Sequence, residues 1–218
     1  MNKIAAALLL SLGIASAQAV PIVFTSSTYA TSAVADVDGV PDADGAISPP
    51  DALPIASLAS VTDVGGSATA NATADSLSLA ASTAASSTGG VALASATATF
   101  FGEYTTPGGP ISLSVNLDSN TAGPSFADVL LAVILVVDDP VLGMTTLLDQ
   151  FLTGTGVIEG DFLLPAGLPG TLEIVLSSNA GPTLAVDGDE ASNESAARFA
   201  VDITAVPEPA TLAPILFR

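Results

Sequence analysis

The clearest pattern along the chain is strict alternation. Ile111, Leu113, Val115 and Leu117 alternate with Ser112, Ser114 and Asn116, which places four apolar side chains on one face of a strand. Leu172, Ile174 and Leu176 alternate with Thr171, Glu173 and Val175, and Phe199, Val201 and Ile203 with Ala200, Asp202 and Thr204. Upstream the same period is written in smaller residues: Ala68, Ala70, Ala72 and Ala74 against Ser67, Thr69, Asn71 and Thr73, then a similar run from Val91 to Phe101. Alanine alone favours helix, but the interleaved β-branched threonines and the flanking Gly65-Gly66 and Gly89-Gly90 point to strands. Val129 to Val137 is an uninterrupted apolar run, too short to cross a bilayer, and reads as a strand buried on both faces. Thr145 to Leu152 reads as one or two helical turns, with Leu148, Phe151 and Leu152 on one face. Glycine and proline punctuate the rest, at Gly154, Gly156, Gly160, Pro165, Gly167, Pro169 and Gly170. Many short strands separated by such turns predict an all-β protein, an antiparallel β-sandwich of the jelly-roll kind, occupying residues 20–205 as one domain.

Composition sharpens this picture. The chain has 218 residues, 49% of them hydrophobic, yet 39 are alanine, so the core is expected to be thin or tightly packed. Cys, His and Trp are absent, which removes disulfides, imidazole bases and thiolate nucleophiles, and with them any Ser-His-Asp or Cys-His enzyme. The formal net charge is -19, and the only cations are Lys3, Arg198 and Arg218. A stretch from residue 4 to 197 without a cation cannot neutralise phosphates, so nucleic acid is excluded as a partner.

Two segments carry targeting signals. Lys3, the apolar stretch Ile4 to Ile14 and the small-x-small triplet Ala17-Gln18-Ala19 form a secretory signal peptide over residues 1–19, with Val20 as the new terminus. At the other end Val206-Pro207-Glu208-Pro209-Ala210-Thr211-Leu212-Ala213 closely resembles the sorting signal of PEP-CTERM proteins. The resemblance implies a bacterial exported protein read at Pro207, Glu208 and Pro209 by an exosortase, a membrane-embedded transpeptidase of organisms that make exopolysaccharide. Two prolines hold such a segment extended and outside any sheet ladder. The family pattern continues into a membrane-spanning helix and a cluster of arginines. Here five residues follow Ala213, so the sorting signal over 206–218 reads as truncated, with contact to the membrane transient if made at all. The expectation is a non-enzymatic protein of the cell envelope or extracellular matrix, associated with exopolysaccharide.

Candidate chemistry lies in carboxylates. Asp36, Asp38, Asp42 and Asp44 fall within nine residues around two Asp-x-Asp-Gly units, a spacing that can converge oxygens on calcium. The loop departs from an EF-hand at Val40, Pro41 and Ile47, and a solvated acidic turn selects the same residue types. Asp187, Asp189, Glu190 and Glu194 form a second acidic cluster open to both readings. Glu103, Glu159, Asp161 and Glu173 are candidate acids for glycoside chemistry, with no pair singled out. The alternative function is a calcium-dependent carbohydrate-binding module. Tyr29 and Tyr104 are the only tyrosines, leaving little flat surface for sugar stacking.

Overall fold

A computed structural model describes residues 24–76, 78–106, 108–122 and 126–181, together with the backbone of 190–203. The signal peptide, the sorting-like segment from Val206 to Thr211 and the side chains of the second acidic cluster lie outside the described residues. Twelve strands are present among them: β1 (Phe24–Val37), β2 (Val40–Ser48), β3 (Ile55–Asp63), β4 (Gly66–Asp75), β5 (Ser78–Ser87), β6 (Ala92–Thr105), β7 (Gly109–Ala122), β8 (Phe126–Asp139), β9 (Gly143–Leu152), β10 (Gly156–Leu164), β11 (Pro169–Gly181) and β12 (Glu190–Ile203). They form two six-stranded sheets, one in the order β2-β1-β6-β11-β8-β9 and the other in the order β10-β7-β12-β5-β4-β3.

Every pairing is antiparallel, and the last eight strands pair as nested hairpins: β8 with β9, β7 with β10, β6 with β11 and β5 with β12. Successive pairs alternate between the two sheets, which is the double Greek-key weave of a jelly roll. The first four strands widen it. The β1–β2 hairpin adds beside β6 and the β3–β4 hairpin beside β5, so each sheet gains two strands on the same side. Chain entry and exit share one end of the sandwich. Phe24 at the start of β1 pairs with Tyr104, Ile203 at the end of β12 pairs with Ile111, and the short β6–β7 connection joins those two partners.

The alternating residues fill the space between the sheets. Ile111, Leu113, Val115 and Leu117 are buried, as are Leu172, Ile174 and Leu176, Ala68 to Ala74 at even positions, and Ala92 to Ala98 at even positions. The methyl-only side chains let the sheets approach closely. Cα atoms come within 8 Å of each other repeatedly between β1 and β3, β1 and β4, β2 and β3, and β4 and β6, but at few places between β7 and β8, β8 and β12, or β9 and β10. On the leucine, isoleucine and valine side the longer side chains hold the sheets further apart. The sandwich is therefore a wedge, thin at the β2/β3 edge and thick at the β9/β10 edge. Hydroxyl pairs cross the gap where it is narrow: Thr31 of β1 bonds Ser57 of β3 at 2.8 Å, and Thr83 of β5 bonds Ser178 of β11 at 2.9 Å, all four residues being buried.

Two expectations change. Val129 to Val137 is a strand, but only its odd positions are buried; Leu130 is 41% exposed and Ala132, Ile134 and Val136 are half-buried on the outer face. Thr145 to Leu152 is not helical. It belongs to β9, the outermost strand of its sheet, paired along β8 with an irregularity between Leu135 and Val136, so backbone pairing overrode the helical spacing of its apolar residues.

Candidate functional site

Burial of one strand face fixes what the other presents. Along the central strands of the first sheet, Phe100, Tyr104, Leu172, Ile174, Leu135 and Val137 are anchored inward, so Phe101, Glu103, Thr171, Glu173, Ile134 and Val136 project from the outer face. Register lines them up. Glu103, Thr171 and Val136 form one cross-strand row; Phe101, Glu173, Ile134 and Asp149 form the next.

At the end of this face where the chain enters, the first of these rows opens into a cleft of about 350 Å³. Its polar walls are Glu103, Asp138, Thr25, Thr105 and Thr171, and its apolar lining comes from Val136, Met144 and Pro169, with Tyr104 and Gly170. Gly170 is required there. A Cβ at this position would come within 2.7 Å of the Tyr104 hydroxyl and of the Val136 carbonyl, closing the path along which the tyrosine donates to Val136 O at 3.3 Å. Burial pushes the Tyr104 phenol up to about 12. Glu103 is held in place, because the Ser26 hydroxyl donates to its Oε2 at 2.8 Å and the Thr25 hydroxyl to its main-chain carbonyl at 3.1 Å. Among the described residues no hydrogen bond engages the Asp138 carboxylate. Phe101, 37% exposed, lies one row away, and Phe151, 69% exposed, lies further along the same face on β9.

The four aspartates of the sequence motif have other partners. Asp38 and Gly39, with φ of 52° and 80°, make the two-residue turn between β1 and β2, and the Gly39 N–H donates to Asp36 Oδ1 at 2.9 Å. The Asp38 carboxylate extends the β1–β6 ladder, accepting the Val91 N–H at 2.8 Å, and it fills the space that a Cβ on Gly90, or on Gly65 in the β3–β4 turn of the other sheet, would need. Asp42 and Asp44 are strand residues rather than loop residues. Their Oδ2 atoms accept the backbone N–H groups of Ser60 at 2.8 Å and Leu58 at 3.1 Å, and Asp44 Oδ1 accepts its neighbour's Gly45 N–H at 2.9 Å. The motif thus closes a turn and stitches β2 to β3 across the thin edge. Among the described residues no group of three or more His, Cys, Asp or Glu side chains is placed to hold a metal ion.

The candidate acids divide between the sheets. Glu103 and Glu173 share the outer face of the first sheet as diagonal neighbours on β6 and β11. Glu159 and Asp161 stand on β10 of the second, where Asp161 accepts the Ser112 hydroxyl at 2.6 Å. Both tyrosines are buried, so neither offers a stacking surface. The available aromatic surface comes from phenylalanine. Phe100 and Phe101 are adjacent in sequence and point to opposite faces, a distinction that the alternation of Val91 to Phe101 already carried.

No protein-family model and no curated protein matches the chain. Among solved structures, similarity is found to TmCBM61, a structure in complex with beta-1,4-galactotriose, at 12% identity over 57% of this chain and 81% of that one, with a TM-score of 0.23. Carbohydrate-binding modules of the beta-sandwich superfamily show 12% identity over 80% of this chain and 84% of that one, TM-score 0.22. Broad Bean Stain Virus shows 10% identity over 90% and 98% respectively, TM-score 0.26. Scores this low carry no argument about ligand or activity, and the two-sheet architecture rests on the strand pairing above.

Proposed function

We propose that this chain is an exported, non-catalytic β-sandwich that binds carbohydrate in the cell envelope or extracellular matrix. The observation that carries the reading is the outer face of the first sheet, where a cleft of about 350 Å³ with carboxylate and hydroxyl walls adjoins the exposed ring of Phe101. Carboxylates and threonine hydroxyls exchange hydrogen bonds with sugar hydroxyls, and an aromatic face covers the apolar side of a pyranose ring. A volume near the lower end of the roughly 300–1,000 Å³ range of small-molecule sites suits a short stretch of glycan. Delivery would use the signal peptide at residues 1–19 and recognition of Pro207, Glu208 and Pro209 by an exosortase, with exopolysaccharide as the natural partner.

A glycan array probed with the full chain, with and without calcium, tests this reading. Retention of at least one glycan class, weakened by Phe101→Ala, is expected; no retention under either condition overturns it. Retention only in the presence of calcium would establish the ion-bridged form of binding.

A further inference from the structure

Resting on that reading, we infer that the cleft selects amine-bearing sugars, a hexosamine with a free ammonium group, over neutral and acidic ones. Glu103 and Asp138 both wall the cleft, and the adjoining row adds Glu173 and Asp149. Among the described residues nothing on this face offsets them, since residues 4–197 contain no lysine, arginine or histidine. A neutral sugar can use these carboxylates only as hydrogen-bond acceptors, and a uronic acid meets like charge. An ammonium group supplies both the missing counter-charge and up to three donors, beside the low-polarity surface of Val136, Met144 and Pro169, where water screens less. Ser26 keeps the Glu103 carboxylate directed by bonding one oxygen, which leaves the other to the ligand. The threonine hydroxyls at 105 and 171 remain for the ring hydroxyls of the same sugar, and the Thr25 oxygen, whose proton goes to the Glu103 carbonyl, can still accept.

Titration calorimetry on the full chain with three trisaccharides, of glucosamine, of N-acetylglucosamine and of galacturonic acid, decides the matter. The glucosamine ligand is expected to bind at least about tenfold tighter than its acetylated counterpart, with no heat from the uronate, and to weaken several-fold between about 50 and about 300 mM sodium chloride. The double variant Glu103→Gln/Asp138→Asn should lose this preference. Asp51→Asn/Glu159→Gln removes the same charge at positions outside the cleft and should keep it, with both variants melting near the parent. Equal affinity for the free and acetylated sugars overturns the inference while leaving carbohydrate binding intact. Equal losses in the two double variants also overturn it, because the attraction would then belong to the acidic surface as a whole. Silence with every ligand, on a protein that also retains nothing on the array, removes the underlying reading instead.

Discussion

The thin and thick sides of the wedge solve the same problem with different chemistry. On the thin side the core is alanine from β1, β4, β5 and β6, and each methyl contributes little buried area. The sheets compensate by approaching closely, which brings hydroxyls and carboxylates within reach of the opposite sheet: Thr31 to Ser57, Asp42 to Ser60 and Asp44 to Leu58. On the thick side Leu113, Leu117, Leu131, Leu135, Ile174 and Leu176 supply the area directly. Among the described residues no side-chain hydrogen bond crosses from β9 to β10, and that edge exposes Met144, Phe151, Val157 and Leu163. The stitched edge also uses its carboxylates to cap backbone donors of β3 that would otherwise recruit another strand. Small side chains therefore fix more than core volume; they decide which polar groups can act across the gap.

The comparison breaks first on the thick side. Ile174→Ala should cost about 2–5 kcal/mol, seen as a lower urea midpoint with an unchanged slope, because no nearby methylenes can refill the site. Next in size, Ala96→Leu should cost about 1–3 kcal/mol or more, since Ala96 is fully buried where the sheets are close. A neutral result would mean that the thin side can separate, and the wedge would not be a fixed feature. Asp42→Ala with Asp44→Ala should cost about 1 kcal/mol per lost bond and raise the apparent mass by light scattering as β3 is uncapped. Phe151→Ala on the already exposed edge should leave the midpoint nearly unchanged.

A pH series sharpens the contrast from another direction. Two tyrosines are buried, Tyr29 in β1 and Tyr104 in β6, linked through the rings of Phe100 and Phe24. Burial raises both, with the Asp75 charge adding to the effect at Tyr29, and Tyr104 is pushed up to about 12. Below about pH 10 the phenols are protonated folded or unfolded and contribute no pH dependence. Above it the unfolded chain releases protons that the folded one keeps, so stability should fall as pH rises from 10 towards 12, and Tyr104→Phe should flatten that fall. A modest rise in melting temperature with salt is expected on both sides, as 22 acidic residues repel one another with three basic ones to offset them.

How much of this was legible depends on the side of the wedge. Strict alternation at Ile111 to Leu117 and Leu172 to Leu176 identified strands and their buried faces without ambiguity, and Asp38-Gly39 carried the hairpin turn in its residue types. Alternation failed where the outer face is itself apolar. Leu130, Ile134 and Val136 made β8 look buried on both sides, although they form the floor of the candidate face. Leu148, Phe151 and Leu152 carried a helical spacing that edge pairing with β8 overrode. The aspartate motif was visible as a cluster, but its division between a turn and a β2–β3 seam depends on which strands become neighbours across the gap, a long-range fact. Glu103 stood among four equivalent acids until register set it beside Thr171 and Val136, while Phe101 had no local signal separating it from Phe100 except parity.

The shared end at which β1 begins and β12 finishes has a mechanical consequence. β12 pairs with β7 up to Ile203 and with β5 up to Arg198, so tension transmitted through residue 203 meets the β7 ladder first and, from Arg198 inward, a strand flanked by two ladders. Those ladders would be loaded together in shear rather than peeled one bond at a time. A domain held in this way resists extraction of β12 from its own sheet while leaving the outer face of the other sheet unloaded.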